Sequence, residues 1–325
     1  MKVAIIGCGL IGRKRATALP PSVQIIGCFD SVRTIAVDFA KDFNTVSFSS
    51  VNELLEIVDL DFVIIATRHD SLADLTQQAL GAGKHVFVEK PGAIDYQAFK
   101  KSFEMAKNHN LKVHVGYNHQ YHPGIRKALE FFQDGSIGEL MFLRAQYGHG
   151  GRLGYENEWR ADKSKSGGGE LIDQGSHLID LAASYLRNLK LDYAATPNYF
   201  WPMHVEDNAF ISLKNDFGNI AFLQASCTEW KNMFSLEIYG KIGKLHISGL
   251  GRSYGIETLT LHKMLPEMGP PISETWTYPD QDDSWALEIN EFIGDLVNGT
   301  SKSDNLESSL EVLRVIEEIY SRSSR

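Results

Sequence analysis

The chain has 325 residues, of which 43% are hydrophobic and 22% charged, a balance typical of a folded globular protein with two domains. Its formal net charge of −9 argues against a general binder of nucleic acids or of anionic membranes. No apolar run approaches the roughly 18 residues that span a bilayer, and the N-terminus has no signal-peptide pattern, so a cytoplasmic location is expected.

The cysteines and histidines of the sequence do not predict a disulfide framework or a metal site. Cys8, Cys28 and Cys227 are an odd number without paired spacing, as expected for reduced, mostly buried thiols. His119 and His122 form the closest histidine pair, and no third ligand is near them in the sequence. We therefore expect no metal.

A glycine-rich turn follows the first predicted strand, residues 3–6, and precedes a helical stretch at 13–19. The turn reads Gly7-Cys8-Gly9-Leu10-Ile11-Gly12. In this strand–turn–helix context the spacing indicates a dinucleotide site, with Leu10 and Ile11 at the start of the helix. Gly7 permits the tight turn, Gly9 lets a pyrophosphate approach, and Gly12 allows close packing. The alternative is a glycine turn without a ligand.

A second strand, residues 23–29, ends at Asp30, roughly 20 residues past the glycines. An acidic residue at this position binds the ribose hydroxyls of NAD, so the sequence favours NAD over NADP. Arg33 lies close enough in sequence to accommodate a 2′-phosphate, so NADP is the alternative cofactor.

Strands and helices then alternate, which predicts a parallel sheet with right-handed crossovers. The predicted helices are 32–43, 51–58, 72–82 and 96–108, and the predicted strands are 45–48, 62–66, 85–88 and 112–115. Ligands of such sheets bind outside the carboxyl ends of the strands. The candidate residues at this rim are Thr67, Arg68, His69, Glu89, Lys90 and Asn118.

Lys90 is the most informative residue of that rim. Pro91 restricts Lys90 to extended geometry, which would direct the amine across the cofactor. An ammonium group can stabilise an alkoxide as it forms. The alternative is a solvated lysine after a strand.

After residue 120 the pattern changes, and we predict a Rossmann domain at 1–120 and an α+β domain at 121–325. Helices are predicted at 125–132, 170–186, 283–298 and 306–320, and strands at 140–147, 193–196, 207–214, 220–228, 234–239 and 244–248, with 259–261 as one more candidate. Short turns between these strands predict a large, mostly antiparallel, open sheet. Such a sheet often pairs with a copy of itself, so a homodimer or homotetramer is expected.

A long polar loop, residues 148–166, carries aromatic and basic side chains. Aromatic rings suit the C–H faces of sugars, and arginine suits phosphate or carboxylate. The candidate substrate residues in and before this loop are Tyr147, Arg152, Tyr155, Trp159 and Arg160. The alternative is a solvated loop anchored by one tryptophan.

Three glycines, 167–169, precede a predicted helix that carries Asp173 and His177. Residues four apart lie one turn above each other, and a carboxylate beside an imidazole makes a proton-handling pair. The alternative is a surface pair of little consequence. Asp180 lies three residues beyond His177 on the same edge.

Four motifs together resemble the glucose-fructose oxidoreductase, inositol dehydrogenase and rhizopine catabolism (Gfo/Idh/MocA) family of oxidoreductases over nearly the whole chain. They are Gly7-x-Gly9-x-x-Gly12, Glu89-Lys90-Pro91, Gly116-Tyr117-Asn118 and Gly167-Gly168-Gly169 through Asp173-x-x-x-His177. The resemblance implies a Rossmann domain and a sheet domain whose open face holds the substrate.

The resemblance also implies a catalytic group of Lys90, Asp173 and His177 around the nicotinamide. In that scheme His177 exchanges a proton with the substrate oxygen, Lys90 polarises that oxygen, and Asp173 binds a neighbouring hydroxyl or orients the other two. Asp180 is expected to support them, from helical spacing alone.

Two stretches depart from the family pattern and concern the substrate more than the fold. They are Thr67-Arg68-His69-Asp70 and His119-Gln120-Tyr121-His122. The first of these, with the loop, looks most like members associated with surface-polysaccharide sugars.

We therefore expect an NAD(P)-dependent oxidoreductase acting on a secondary hydroxyl or ketone of a sugar, sugar nucleotide or cyclitol. Two rival hypotheses remain, namely a glycosidase that retains NAD and cleaves by transient oxidation and elimination, and a dinucleotide sensor without turnover.

Overall fold

The computed structural model describes residues 1–323, which form two compact units. The first comprises Met1–Tyr117 and Trp285–Leu313, and the second comprises Asn118–Ser284 and the described residues from Arg314 onward. The sequence predicts one break after residue 120, whereas this division begins the second unit at Asn118 and assigns 285–313 to the first. No helix within 1–323 combines the length and apolar character that crossing a membrane requires.

Five parallel strands form the sheet of the first unit, in the order β2-β1-β3-β4-β5. They are β1 (Lys2–Ile6), β2 (Gln24–Phe29), β3 (Phe62–Ile65), β4 (His85–Glu89) and β5 (Val113–Gly116). All of β3 is buried, as expected for a strand covered on both faces. The order reverses between β1 and β3, so the loops after these two strands border the crevice in which such sheets bind ligands.

Helices connect these strands. They are α1 (Leu10–Thr17), α2 (Arg33–Asp42), α3 (Val51–Leu55), α4 (His69–Gly81) and α5 (Tyr96–His109). Two begin at side-chain caps, because Ser50 accepts a hydrogen bond from the Glu53 amide and Asp95 accepts one from the Ala98 amide.

Eight strands form the sheet of the second unit, in the order β13-β12-β11-β10-β6-β9-β8-β7. They are β6 (Leu140–Gly148), β7 (Lys190–Ala195), β8 (Asn208–Lys214), β9 (Ile220–Ser226), β10 (Met233–Gly240), β11 (Gly243–Ser248), β12 (Glu257–Lys263) and β13 (Ile272–Tyr278). Only β6 and β9 pair in parallel, and the other neighbours are antiparallel, as the sequence predicts.

The remaining helices are α6 (Pro123–Gln133), α7 (Lys163–Ser166), α8 (Ser176–Tyr185), α9 (Ser284–Asn298) and α10 (Leu306–Ser323). Helices α6 and α8 cover one face of the eight-stranded sheet. Phe292 of α9 packs against Phe62 and Phe87 with ring centroids 5.7 and 5.6 Å apart, which places this late segment in the core of the first unit.

Two predicted elements differ from the observed ones, and one observed strand was not predicted. The stretch 45–48 is no strand, and Ser47 makes only an isolated bridge to Cys28. Strand β13 is the one that was not predicted, and most of its residues are exposed. The predicted helix 170–186 begins as a π-helical turn, Leu171–Gly175, before α8.

Candidate active site

The glycine turn after β1 has the shape that a dinucleotide needs. Gly7 has φ +92°, and a Cβ there would lie 2.5 Å from the Ala66 carbonyl oxygen, so only glycine fits. A Cβ on Gly12 would lie 1.9 Å from the Gly7 carbonyl oxygen, so this helix packs closely on the turn. A Cβ on Gly9 meets nothing within 4 Å, which leaves open space at the start of α1 for a phosphate group. The turn therefore fits a bound dinucleotide.

Asp30 lies at the end of β2 and is held by backbone groups of its own unit. Its Oδ2 accepts a hydrogen bond from the Cys8 amide at 2.8 Å, and its Oδ1 accepts one from the Val32 amide at 2.9 Å. The guanidinium of Arg33 donates to the Phe48 carbonyl at 3.0 Å. Asp30 is thus fixed beside the glycine turn, while Arg33 is tied to the loop that follows α2.

The other predicted cofactor residues differ in exposure. Leu10 is 73% exposed at the start of α1, and Ile11 is half-buried. Thr67 follows β3 and accepts a hydrogen bond from the Ser71 hydroxyl at 2.8 Å. Arg68 is exposed and pairs with Asp70, and His69 is buried at the start of α4.

Glu89 belongs to a buried charge cluster that sequence reasoning missed. Its Oε1 accepts a hydrogen bond from Arg15 Nε at 2.6 Å, and Arg15 also donates to Glu288 Oε2 at 2.6 Å. His114 Nε2 lies 3.1 Å from Glu288 Oε1. Burial raises the pKa of Glu89, and Arg15 partly opposes this. The Glu89 side chain thus holds β4 to α1, and half-buried Lys90 follows it directly.

Asp173 lies in the π-helical turn and His177 in the first turn of α8. Both are buried, at 6% and 5% exposure, so they are not a surface pair, and Asp180 is fully buried. The extra residue of a π turn also changes the angle between Asp173 and His177 from that of an α-helix. Arg160 Nε donates to Asp173 Oδ2 at 2.9 Å. Burial acts to lower the pKa of Arg160, but Asp173, Tyr155 and Glu158 together outweigh it and the pKa is raised.

The glycines before this turn are held by Glu206 and Tyr320. A Cβ on Gly168 would lie 1.8 Å from the Tyr320 hydroxyl, and one on Gly169 would lie 1.9 Å from the Glu206 carbonyl oxygen. Glu206 Oε1 accepts hydrogen bonds from the Gly169 and Leu171 amides and from the Tyr320 hydroxyl. Glu206 and Tyr320 thus fix the segment that carries Asp173. No sequence signal pointed to either residue.

Glu170 is a second buried carboxyl beside Asp173. Tyr155 donates its hydroxyl to Glu170 Oε1 at 3.0 Å, and His149 Nε2 lies 3.7 Å from the same oxygen. Burial, reinforced by the charge of Asp173, raises the pKa of Glu170 to about 8. Burial also raises the pKa of the neighbouring Cys227 thiol and lowers that of His149. The protonated form of Glu170 therefore predominates at neutral pH.

Replacing Glu170 with glutamine is expected to change how stability depends on pH. The folded protein holds the Glu170 proton more tightly than the unfolded chain, so this stabilisation is complete below the unfolded pKa and is lost as pH rises through about 8. In Glu170→Gln the decline of the melting temperature between pH 5 and pH 9 should be smaller. Thermal melts across this range measure it, with exposed Glu104→Gln as the control, and an unchanged slope would contradict the assignment.

The loop 148–166 contains two 3₁₀ turns and α7 rather than a continuous loop. Arg152 is exposed and pairs with Glu158 at 2.7 Å. Trp159 is half-buried, with the Arg160 guanidinium 4.5 Å from its ring centroid. The two arginines named as substrate residues are therefore already paired with carboxylates.

Tyr147 and Tyr155, which were predicted to contact the substrate, are both buried. Tyr155 packs with Trp201 and Cys227. Tyr147, in β6, lies with its ring centroid 4.9 Å from that of Tyr254. Each contacts other side chains of its own unit.

Asn118 begins a 3₁₀ turn, Asn118–Tyr121, that faces α8. Its amide donates to the Ser284 hydroxyl at 2.9 Å. His119 in the same turn stacks on His177 with ring centroids 3.8 Å apart and an interplanar angle of 16°. Within residues 1–323 no group of three or more His, Cys, Asp or Glu residues is placed to hold a metal ion.

Comparisons with known proteins identify the family. The model of an oxidoreductase family with an NAD-binding Rossmann fold matches residues 1–117, and the GFO/IDH/MocA C-terminal domain model matches residues 125–246. Glucose-6-phosphate 3-dehydrogenase of Bacillus subtilis is 30% identical over 184 residues, 55% of this chain and 52% of that protein. UDP-N-acetylglucosamine 3-dehydrogenase of Acidithiobacillus ferrooxidans is 28% identical over 147 residues, 45% of each chain. The chain thus spans about half the length of the curated relatives it matches.

A solved structure of levoglucosan dehydrogenase with NADH and L-sorbose shares the fold. The TM-score is 0.91 at 20% identity, and the match covers 100% of this chain and 97% of the other. Because both parts of the sequence match models of one family, the chain belongs to the Gfo/Idh/MocA oxidoreductases and has an NAD(P)-binding Rossmann domain.

Proposed function

We propose that the protein is an NAD(P)-dependent dehydrogenase or reductase acting on a secondary hydroxyl or ketone of a sugar, sugar nucleotide or cyclitol. The observation that carries this proposal is the buried carboxylate and imidazole, Asp173 and His177, on a segment fixed by Glu206 and Tyr320. Burying ionisable groups costs free energy unless they are paired or serve a function. Relatives named as sugar dehydrogenases support the substrate class.

In this proposal Lys90, Asp173 and His177 form the catalytic group. A nicotinamide cofactor, when held by the glycine turn and Asp30, would supply hydride transfer to or from the substrate carbon. His177 accepts the hydroxyl proton during oxidation and returns it during reduction. Lys90 donates a hydrogen bond to the same oxygen and stabilises its developing negative charge. Asp173, held by Arg160, accepts a hydrogen bond from a neighbouring substrate hydroxyl.

Other predicted substrate residues receive different roles within this proposal. Arg152 and Trp159, the most accessible of them, are proposed to contact the substrate directly. Buried Tyr147, Tyr155 and Asn118 are proposed to support the residues that do so.

Asp30→Ala is expected to weaken NAD binding at least about tenfold and to affect NADP binding less, because the carboxylate binds ribose hydroxyls and repels a 2′-phosphate. Fluorescence titration with NADH and NADPH measures both affinities. Asp30→Asn keeps an acceptor for one of the two backbone amides, and exposed Asp42→Ala on α2 is the control. Equal losses of affinity for NADH and NADPH would show that Asp30 shapes the turn without binding the ribose hydroxyls.

A screen for turnover separates the proposed function from its rivals. Absorbance at the NADH band is followed with free sugars, inositols and nucleotide sugars in both directions. Substrate-dependent change supports a dehydrogenase. Glycoside cleavage without net change in NADH would indicate the NAD-retaining glycosidase, and tight NADH binding without any turnover would indicate a sensor.

We also propose that the protein is a homo-oligomer, a dimer or a tetramer, and that it resides in the cytoplasm. The sheet face opposite α6 and α8 carries exposed Phe222 and Tyr193 beside an ion pair between Arg144 and Glu237. A concavity of about 540 Å³ lies on this face. Apolar and paired polar groups on a broad sheet face suit a second copy of the same face. Sedimentation that shows only monomer at micromolar concentration would contradict this proposal.

A further inference from the structure

The proposed function assigns no role to the stacked imidazole rings of His119 and His177. The two rings lie almost parallel, with centroids 3.8 Å apart, and both side chains are about 95% buried. They come from separate elements, the 3₁₀ turn after β5 and the first turn of α8. Gln120 Nε2 also donates to Asp180 Oδ2 at 2.7 Å, so a second contact holds the same two elements together.

We propose that His119 is a positioning residue that fixes the His177 imidazole and limits the stacked pair to one proton. The inference rests on the proposed function for its catalytic meaning, but the stack itself can be tested without substrate. Two imidazolium charges at this separation repel, and at an effective dielectric of about 20 the second proton would bind roughly 1000-fold more weakly than the first.

A neutral His119 also presents its ring face to an imidazolium on His177. This contact favours the charged form that His177 adopts when it accepts the substrate proton. The substrate hydroxyl therefore transfers its proton to His177, while His119 stays neutral and the pair carries one proton. Without the ring of His119, the imidazole of His177 would lose its face contact and its fixed plane.

Several titratable groups lie around the stack. The Tyr147 ring meets both imidazoles edge-on, at 4.8 Å from His119 and 6.0 Å from His177, and burial raises its pKa. The His122 ring lies 5.9 Å from His119 and is itself 3.0 Å from Glu257 and 3.8 Å from Asp282.

On the α8 side, Asp173 lies in the preceding turn with its carboxylate bound by Arg160. On the sheet side, Phe234 faces His119 at 6.0 Å.

The test is the titration of ¹³C-labelled histidines by NMR, in the full-length protein with NADH and without substrate. In the wild type, His177 and His119 should titrate as a coupled pair in two steps separated by about three pH units, which corresponds to the roughly 1000-fold difference in proton affinity. In His119→Phe, which keeps an aromatic face, His177 should titrate in a single step. Exposed His109→Phe is the control and should leave the two-step pattern intact.

Kinetics then connect the stack to turnover. His119→Phe should keep kcat within about threefold of the wild type, whereas His119→Ala should lower kcat at least about tenfold with little change in KM for the cofactor. A single-step titration of His177 in the wild type would overturn the proposal without any variant. A coupled titration with full turnover in His119→Ala would overturn the positioning role. Absence of turnover in the wild type would count against the proposed function, and the titration would still decide whether the pair shares one proton.

Discussion

Lys90→Met should lower kcat about 100-fold to 1000-fold, the range found when a donor to a developing oxyanion is removed. The methionine side chain keeps most of the aliphatic length of lysine and loses only the charged donor. Because that donor is proposed to act on the substrate oxygen, NADH affinity should stay within about threefold of the wild type. Steady-state kinetics with the substrate found by the screen, together with NADH fluorescence titration, measure the two quantities separately.

Lys100→Met on α5 is the matched control for this experiment, since Lys100 is an exposed lysine of the same unit. It should leave kcat and NADH affinity unchanged. Wild-type kcat in Lys90→Met would remove Lys90 from the catalytic group. A large loss of NADH affinity with unchanged kcat would instead place Lys90 among the residues that hold the cofactor.

Arg15→Met is expected to lower the free energy of unfolding by about 3–5 kcal/mol, because it leaves buried carboxylates without their cation. Arg15 is fully buried and bonds both Glu89 and Glu288, and its guanidinium lies 4.5 Å from the Phe87 ring centroid. Urea denaturation, monitored by circular dichroism, gives the difference in unfolding free energy. The loss should shrink at low pH, where Glu89, whose pKa is raised by burial, can be protonated.

Arg13→Met provides the comparison on the same helix. Arg13 pairs with Asp42 at 2.6 Å, but both side chains are substantially exposed, so removing this pair should cost no more than about 1 kcal/mol. Similar losses of unfolding free energy in Arg13→Met and Arg15→Met would show that burial does not set the contribution of Arg15 to stability. A stable Arg15→Met protein with weakened NADH binding would indicate that the cluster mainly shapes β4 and the glycine turn.

The glycine turn shows how far local sequence can predict a site. Its spacing, with a strand before it and a helix after it, predicts a tight turn at Gly7 and close packing at Gly12, and the structure shows both. The approach of a pyrophosphate at Gly9 stays a prediction. The position of Asp30 also followed from a short count of residues. These features depend on backbone geometry over a few residues, and that geometry is encoded by neighbours in the chain.

The buried partners could not be predicted in the same way. Arg15 pairs with Glu288, which lies 273 positions away in the sequence. Glu206 accepts a hydrogen bond from Tyr320, which lies 114 positions away. No periodicity or spacing rule links residues so far apart, because their meeting depends on how the strands and helices are ordered in space. The π-helical turn likewise departs from the uniform helical period on which the prediction for 170–186 relied.

The sequence by itself determined the alternating first unit, the open-sheet second unit, the dinucleotide turn and the identity of the residues proposed for catalysis. The fold and the turn follow from apolar period, glycine spacing and motifs that are continuous in the chain, whereas the catalytic residues are those that the family resemblance implies. Only the tertiary structure decided that Asp173 and His177 are buried, that Glu170 retains a proton near neutral pH, and that His119 stacks on His177. The physical reason is that burial, desolvation and ring contact are properties of the surroundings of a side chain, and packing assembles those surroundings from distant segments.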